Sequence, residues 1–232
     1  MSRTDAPATL PLLRLTDVGR SYGDHVVLRS VSLDLHPGEF VVIMGDNGSG
    51  KSTLLRVACG REQPTSGAAL FDGQPVDEDA AATRSRLATV IDPGACYPDL
   101  TVREHLMLVA LAHGLGDAAD DAVEEALARH RLTDHADALP TALSSGQVQS
   151  LLLAAAFVRP HDLLVLDEPE QRLDSRARHD LARRLADHRD RGTAVLAVTH
   201  HEAVGAAADR VLTLEDGVLS PAGSPSGRGG PR

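Results

Sequence analysis

A glycine-rich segment between an apolar run and a helical pattern has the composition of a phosphate-binding loop. The mostly apolar run at 39–44 predicts a strand, and the spacing at 51–58 predicts a helix. Glycines let the backbone wrap an anion, the helix N-terminus adds a favourable dipole, and a lysine adds a mobile positive charge. The serine after that lysine is suited to hold Mg²⁺. The loop consists of Gly45, Asp46, Asn47, Gly48, Ser49, Gly50, Lys51, Ser52 and Thr53.

Lys51 is the single lysine in a chain with 23 lysine and arginine residues. Retention of one lysine in an otherwise arginine-based chain indicates that this position requires a compact ammonium group, because a guanidinium is planar and larger. The flanking strand and helix patterns also argue against a chance occurrence of the motif.

Two adjacent carboxylates, Asp167 and Glu168, follow the apolar run at 163–166. Burying carboxylates at the end of a strand is unfavourable unless a metal or a proton-transfer task compensates. Asp167 suits a magnesium-binding position, and Glu168 suits a general base that polarises an attacking water. An ordinary acidic turn after the strand is the alternative that this pattern alone leaves open.

The segment 143–147 reads Leu-Ser-Ser-Gly-Gln and directly precedes the helical pattern that leads into the acidic strand. By itself, Ser144 or Ser145 could simply be a helix N-cap. Together with the order and spacing of the glycine-rich loop and the acid pair, the segment resembles the signature of the ABC (ATP-binding cassette) ATPase family. The resemblance covers about residues 12–219 and implies an ATPase that uses ATP and Mg²⁺.

The resemblance assigns three further positions. Tyr22 matches the aromatic residue that stacks on adenine, although a core or turn tyrosine is the alternative. His200 matches the histidine that contacts the γ-phosphate, with a generic surface histidine as the alternative. Asp174 matches an aspartate that communicates across a dimer.

The same resemblance implies two cassettes that face each other head to tail. The signature of one chain would then close over the ATP held by a second ATPase subunit, in a homodimer or a heterodimer. The signature residues Ser144, Gly146 and Gln147 would act in trans, and Ser145 lies among them. The residues expected to act in cis are Lys51, Ser52, Asp167, Glu168 and His200, of which Lys51, Glu168 and His200 are the expected catalytic residues.

Two residues depart from the family pattern. Asp92 stands where the family has a glutamine that contacts metal and water, and its charge would repel the γ-phosphate unless Mg²⁺ screens it. Ser145 replaces a glycine and adds a side chain where the backbone approaches the partner's nucleotide. We expect retained ATP binding and hydrolysis, with weakened or retuned coupling.

The elements that position these residues follow from hydrophobic periodicity. Residues 12–35 alternate apolar and polar groups around turn residues, which predicts antiparallel strands. Further strands are predicted at 68–71, 87–91, 163–166, 194–198 and 210–214. Helices are predicted at 51–58, 102–113, 120–131, 145–158 and 175–189, with Thr101 as the N-cap of the second and a short helix after His201.

Strands that alternate with helices indicate a parallel sheet. Together with the resemblance, this pattern implies the fold class α/β: a P-loop NTPase with a RecA-like, mostly parallel sheet flanked by helices. An N-terminal antiparallel β-subdomain and an α-helical subdomain inserted at about 93–158 complete a single domain at 12–219. Residues 220–232 are rich in Gly, Pro and Ser, which predicts a disordered tail.

Composition excludes several classes of protein. The formal net charge of -10 argues against a nucleic-acid partner, because phosphate contacts need a basic face. Cys59 and Cys96 form no CxxC pair, which favours a reducing cytoplasm. Signal-peptide character is absent at the N-terminus, and no apolar run reaches the roughly 18 residues that span a bilayer.

The resemblance to ABC ATPases, together with this composition, implies the ATPase subunit of a transporter. Such a subunit would be cytoplasmic and peripherally associated with the inner face of the membrane through transmembrane permease subunits. A soluble non-transport ABC ATPase is one alternative, although the long insertions or second cassette of such relatives are not evident. A nucleotide-binding subunit with degenerate ATPase activity is the other, which Asp92 and Ser145 keep open.

Overall fold

The computed structural model describes residues 10–92 and 96–222. Within them, one sheet is antiparallel, with the strand order β2-β1-β4-β5. Burial alternates along β1, as expected for a sheet with one face on the core. The strands are β1 (Leu13–Tyr22), β2 (His25–Leu35), β4 (Ser66–Phe71) and β5 (Gln74–Pro75).

The second sheet has six strands in the order β10-β9-β3-β8-β7-β6, and all neighbours are parallel except β10 and β9. Its central strands are almost wholly buried, which is typical of a parallel sheet covered on both faces. The strands are β3 (Phe40–Met44), β6 (Leu87–Val90), β7 (Leu163–Asp167), β8 (Ala194–Val198), β9 (Arg210–Glu215) and β10 (Val218–Pro221).

Strand β10 corrects the predicted start of the disordered tail. Ser220 and Pro221 pair with Thr213 and Leu212 of β9, so they are ordered parts of the sheet edge. Pro221 is tolerated because it lies at the end of an edge strand. The predicted tail at 223–232 lies outside the described residues.

Helices cover both faces of the six-stranded sheet. On one face α1 packs between the two sheets, and on the other α5 and α6 cover β7 and β8. The short α2 was not predicted, since its sequence AATRSR buries Thr83 alone and has no apolar period. The helices are α1 (Lys51–Ala58), α2 (Ala81–Arg86), α3 (Val102–Ala112), α4 (Ala119–Arg129), α5 (Ser145–Phe157), α6 (Ser175–Asp190) and α7 (Glu202–Gly205).

Helices α3, α4 and α5 enclose a third hydrophobic core of their own. Thr101 begins α3 with a capping box to Glu104, as predicted for this residue. Helix α5 belongs to two cores, because Leu151 packs among the helices whereas Leu152 packs against the sheet. Helix α5 therefore connects the α-helical subdomain to the sheet that carries the acid pair.

None of the helices within the described residues combines the length and the apolar character that a bilayer-spanning helix requires.

Candidate active site

The glycine-rich loop joins the end of β3 at Met44 to the start of α1 at Lys51. Gly50 precedes α1 with φ of 101°, a left-handed conformation that glycine adopts without strain, and provides no side-chain cap. The first N–H groups of α1 therefore lack a side-chain acceptor, which is the arrangement that favours an anion. The hydroxyl of Ser49 is buried in the same loop and has no hydrogen-bond partner among the described residues.

Lys51 is buried, with 6% of its surface exposed. Its Nζ donates hydrogen bonds to the carbonyl oxygens of Gly45 and Asp46, both at 2.7 Å. These carbonyls belong to the same loop, so the ammonium is held where the loop closes. A compact ammonium suits two carbonyl oxygens of one tight loop better than a larger planar guanidinium does, which agrees with a lysine at this position.

Asp167 ends β7, and the alternation of that strand decides which way its side chain points. Leu163 and Val165 face the core that contains α1, whereas Leu164 and Leu166 face the core that contains α5 and α6. Asp167 continues the odd-numbered set, and its Oδ2 accepts a hydrogen bond from the Ser52 hydroxyl at 2.6 Å. Burial raises the pKa of Asp167, and the nearby Glu168 carboxylate adds to this, whereas the Ser52 hydrogen bond opposes it.

Glu168 leaves the strand in a left-handed conformation, with φ of 44°. Its Oε1 lies 3.4 Å from Nε2 of His200, and its Oε2 accepts a hydrogen bond from Gln171. His200 follows β8, which is hydrogen-bonded to β7, so the carboxyl ends of neighbouring parallel strands bring the two side chains together. The structure thus gathers Lys51, Ser52, Asp167, Glu168 and His200 at one edge of the sheet.

A cavity of about 250 Å³ lies beside these acids. Asp92, after β6, lines it together with Ser52, Asp167 and Glu168. The Asp92 carboxylate forms an ion pair with Arg61, which also contacts Glu78 at 3.1 Å. Arg61 is not among the residues that the sequence predicts for this site, because its contact with Asp92 joins two distant segments and no local pattern indicates it.

The same donors fit a magnesium ion. A hydroxyl and carboxylates are hard oxygen ligands, and magnesium commonly uses one or two carboxylates together with substrate phosphates. Ser52 and Asp167 already lie in contact, and Asp92 lines the same cavity.

The signature residues lie in another part of the surface. Ser144 caps α5 in a capping box with Gln147, whose side-chain NH₂ also donates to Nε2 of His135. Residues 144–147 line a separate cavity of about 400 Å³ and do not line the cavity beside the acids. Within the described part of one chain, the signature and the phosphate loop are therefore not brought into one site.

Two further predicted residues have local structural contacts. Tyr22 is exposed, its hydroxyl donates to Glu62, and the Arg20 guanidinium lies 4.5 Å from the ring centroid. Asp174 is the N-cap of α6 and accepts a hydrogen bond from the Ala177 amide at 2.7 Å. Their predicted roles toward adenine and across a dimer stay predictions.

A glycine-rich loop lies between a buried parallel strand and a helix, and Ser52 at its end donates a hydrogen bond to Asp167 on a nearby strand. This arrangement defines a P-loop NTPase. The family model described as ABC transporter matches residues 28–171, and the chain belongs to this family.

Solved structures and characterised relatives agree with this assignment. The chain is 35% identical to the Nod factor export ATP-binding protein I of Cupriavidus metallidurans over 190 residues, which covers 82% of this chain and 63% of the relative. It matches the structure of an ATP binding subunit of an ABC transporter with a TM-score of 0.84 and 29% identity, covering 91% of this chain and 90% of the other.

A further match is the dimeric post-hydrolysis state of the ATP-binding cassette MJ0796 bound to ADP and Pi. Its TM-score is 0.80 at 26% identity, covering 91% of this chain and 99% of the other. The chain spans between 32% and 63% of the length of the first three curated relatives it matches.

Proposed function

We propose that this chain binds and hydrolyses ATP as the motor subunit of an ABC transporter. The observation that carries the proposal is the meeting of the Ser52–Asp167 pair with the Glu168–His200 pair at the edge of one sheet, next to the phosphate loop. Each pair joins residues from different elements, so their convergence is not a by-product of one local turn. The family relationship and the likeness to a cassette holding ADP and Pi support the same reading.

The chemistry assigned to the site is in-line attack of water on the γ-phosphate. Lys51 and the amides of residues 45–53 would hold the phosphates, while Ser52, Asp167 and Asp92 would hold Mg²⁺, which neutralises phosphate charge when bound. Glu168 would orient the attacking water and accept its proton, and His200 would contact the γ-phosphate. Positioning and electrostatic stabilisation account for most of the rate in such reactions.

The proposed function includes a second ATPase subunit as a partner of this chain. Residues 144–147 do not line the acid-bearing cavity of their own chain, so they are available to close over a nucleotide bound to a partner. Transmembrane permease subunits are the proposed partners for transport, which would place the chain in the cytoplasm at the inner face of the membrane. The export function named for the Nod factor relative favours a transporter over a DNA- or ribosome-directed ATPase.

The test uses the full chain and four proteins: wild type, Lys51→Ala, Glu168→Gln and the matched surface variant Arg176→Ala. Calorimetry measures Mg·ATP binding, and phosphate release measures turnover. We expect Lys51→Ala to lose Mg·ATP binding, since the phosphate loop would lose its ammonium. We expect Glu168→Gln to keep binding while turnover falls by about 10² to 10⁴, as for removal of a general base.

Tight Mg·ATP binding by wild type with no phosphate release would replace this proposal by the degenerate-ATPase alternative. No binding by wild type, or unchanged binding by Lys51→Ala, would contradict it altogether. Co-purification of the tagged chain from membranes separates the remaining classes: capture of a multi-spanning protein supports the transporter, and recovery with ribosomes or nucleic acid contradicts it.

A further inference from the structure

The turn at 168–172 begins and ends with a residue in an unusual backbone conformation. Glu168 has φ of 44° and Arg172 has φ of 64°, and neither is a glycine. Such conformations are rare for residues with side chains, persist only where the surroundings enforce them, and concentrate at functional sites. Here the Gln171 amide donates to the Glu168 carbonyl at 3.0 Å, and Leu173 is buried.

Arg172 lies beside the carboxylates of the predicted catalytic cluster. The cavity of about 250 Å³ is lined by Asp92, Asp167 and Glu168, and Arg172 is the cationic residue among its lining residues in the described chain. Asp92 is already paired with Arg61, which does not line this cavity. No acid within residues 10–92 and 96–222 forms an ion pair with Arg172, so its charge is not committed to a structural partner.

Arg172 also adjoins the signature segment. It lines the cavity of about 400 Å³ together with residues 144–147. A Cβ atom added to Gly146 would lie 2.7 Å from the Arg172 carbonyl oxygen, so the two backbones are in direct contact. Arg172 therefore lies at the boundary between the acid-bearing cavity of its own chain and the segment expected to close over the partner's nucleotide.

We propose that Arg172 is a further catalytic residue, whose guanidinium contacts the γ-phosphate of the nucleotide bound at Lys51 and Ser52. This inference rests on the proposed function. Water forms a bond to the γ-phosphorus, the bond to the β–γ bridging oxygen breaks with its electrons leaving on ADP, and the water proton passes to Glu168. Arg172 exchanges no proton; it neutralises negative charge on the phosphoryl oxygens, which a planar fork of N–H donors does well.

A contact to the γ-phosphate predicts discrimination between ATP and ADP, which a purely structural arginine would not provide. The test compares wild type, Arg172→Ala, Arg172→Lys and the matched control Arg176→Ala, an exposed arginine of α6 that lines neither cavity. Calorimetry measures the Kd of Mg·ATP and of Mg·ADP, phosphate release measures turnover, and thermal melting confirms folding.

For Arg172→Ala we expect the Kd of Mg·ATP to rise about tenfold while that of Mg·ADP changes less than about twofold, because ADP lacks the contacted group. Turnover should fall by about 10- to 100-fold, a modest value for removal of an arginine that stabilises transferred phosphate. Arg172→Lys should recover part of the Mg·ATP affinity and part of the turnover. Arg176→Ala should match wild type in both measurements.

Equal effects on ATP and ADP, or turnover in Arg172→Ala within about twofold of wild type, would overturn the inference while leaving the proposed function in place. Failure of wild type itself to bind Mg·ATP would instead contradict the proposed function, and this inference with it.

Discussion

The hydroxyl of Ser52 donates a 2.6 Å hydrogen bond to Asp167, a residue 115 positions further along the chain. One partner belongs to the first turn of α1 and the other ends β7, so the bond joins the phosphate loop to the acid pair. Because burial raises the pKa of Asp167 and this bond opposes that rise, the hydroxyl helps to keep the carboxylate ionised.

Ser52→Ala should weaken Mg·ATP binding by about tenfold, or roughly 1.4 kcal/mol, because it removes an oxygen ligand and the partner of Asp167. Binding of ATP in excess EDTA should change much less, and calorimetry with and without magnesium measures both. Ser52→Thr, which keeps the hydroxyl, is the control and should stay close to wild type. An equal loss with and without magnesium would contradict the metal assignment.

Arg61→Ala should weaken Mg·ATP binding by roughly three- to tenfold, since it leaves the Asp92 carboxylate unneutralised beside the phosphate site. The pair is partly exposed, so the unfolding free energy should change by less than about 1 kcal/mol. The double variant Arg61→Ala with Asp92→Gln should restore affinity. A double-mutant cycle by calorimetry measures this coupling, and additive losses would refute the neutralising role.

Stability should fall as the pH decreases below about 6.5, and His130 should contribute to this. Burial, together with Arg184, Arg129 and His188, lowers the pKa of His130 to about 3. Below about pH 6.5 the unfolded chain binds a proton at His130, whereas the folded chain binds it only near pH 3. The contribution of neutral His130 to the unfolding free energy is therefore lost steadily as the pH falls from about 6.5 towards 3.

His130→Phe should reduce the pH dependence of the unfolding free energy by about 2 kcal/mol between about pH 6.5 and 5. Urea titrations at several pH values measure the slope of the unfolding free energy against pH. Removal of the Arg184 contact would lower this free energy equally at every pH, so it would not change the slope. A slope identical to that of wild type would show that His130 is not responsible.

Cys59 should resist thiol reagents in the folded protein. It is 1% exposed, and burial raises its pKa to about 12, so almost no thiolate forms near about pH 7.5. In Cys96→Ser, maleimide labelling followed by intact mass should show no modification until urea unfolds the chain. Rapid labelling of this variant without denaturant would mean that the core around α1 opens readily.

Most elements could be predicted from the sequence because their signals are local. The run of apolar residues in β7, the glycines after β3 and the Thr101 cap each act within a few residues, and the structure has the expected elements at these places. The misses are α2, β5 and β10, which are short and lack a hydrophobic period; Ser220 and Pro221 join the sheet only because β9 offers a free edge.

The candidate site divides in the same way. By itself, the sequence located the glycine-rich loop and the acid pair and carried the family resemblance, since a contiguous motif is positioned by the strand and helix around it. Tertiary structure alone decided that Asp167 faces Ser52, that Arg61 neutralises Asp92, and that Arg172 lies between the acids and the signature. These contacts depend on strand order and on a left-handed turn, which form only when distant segments pack together.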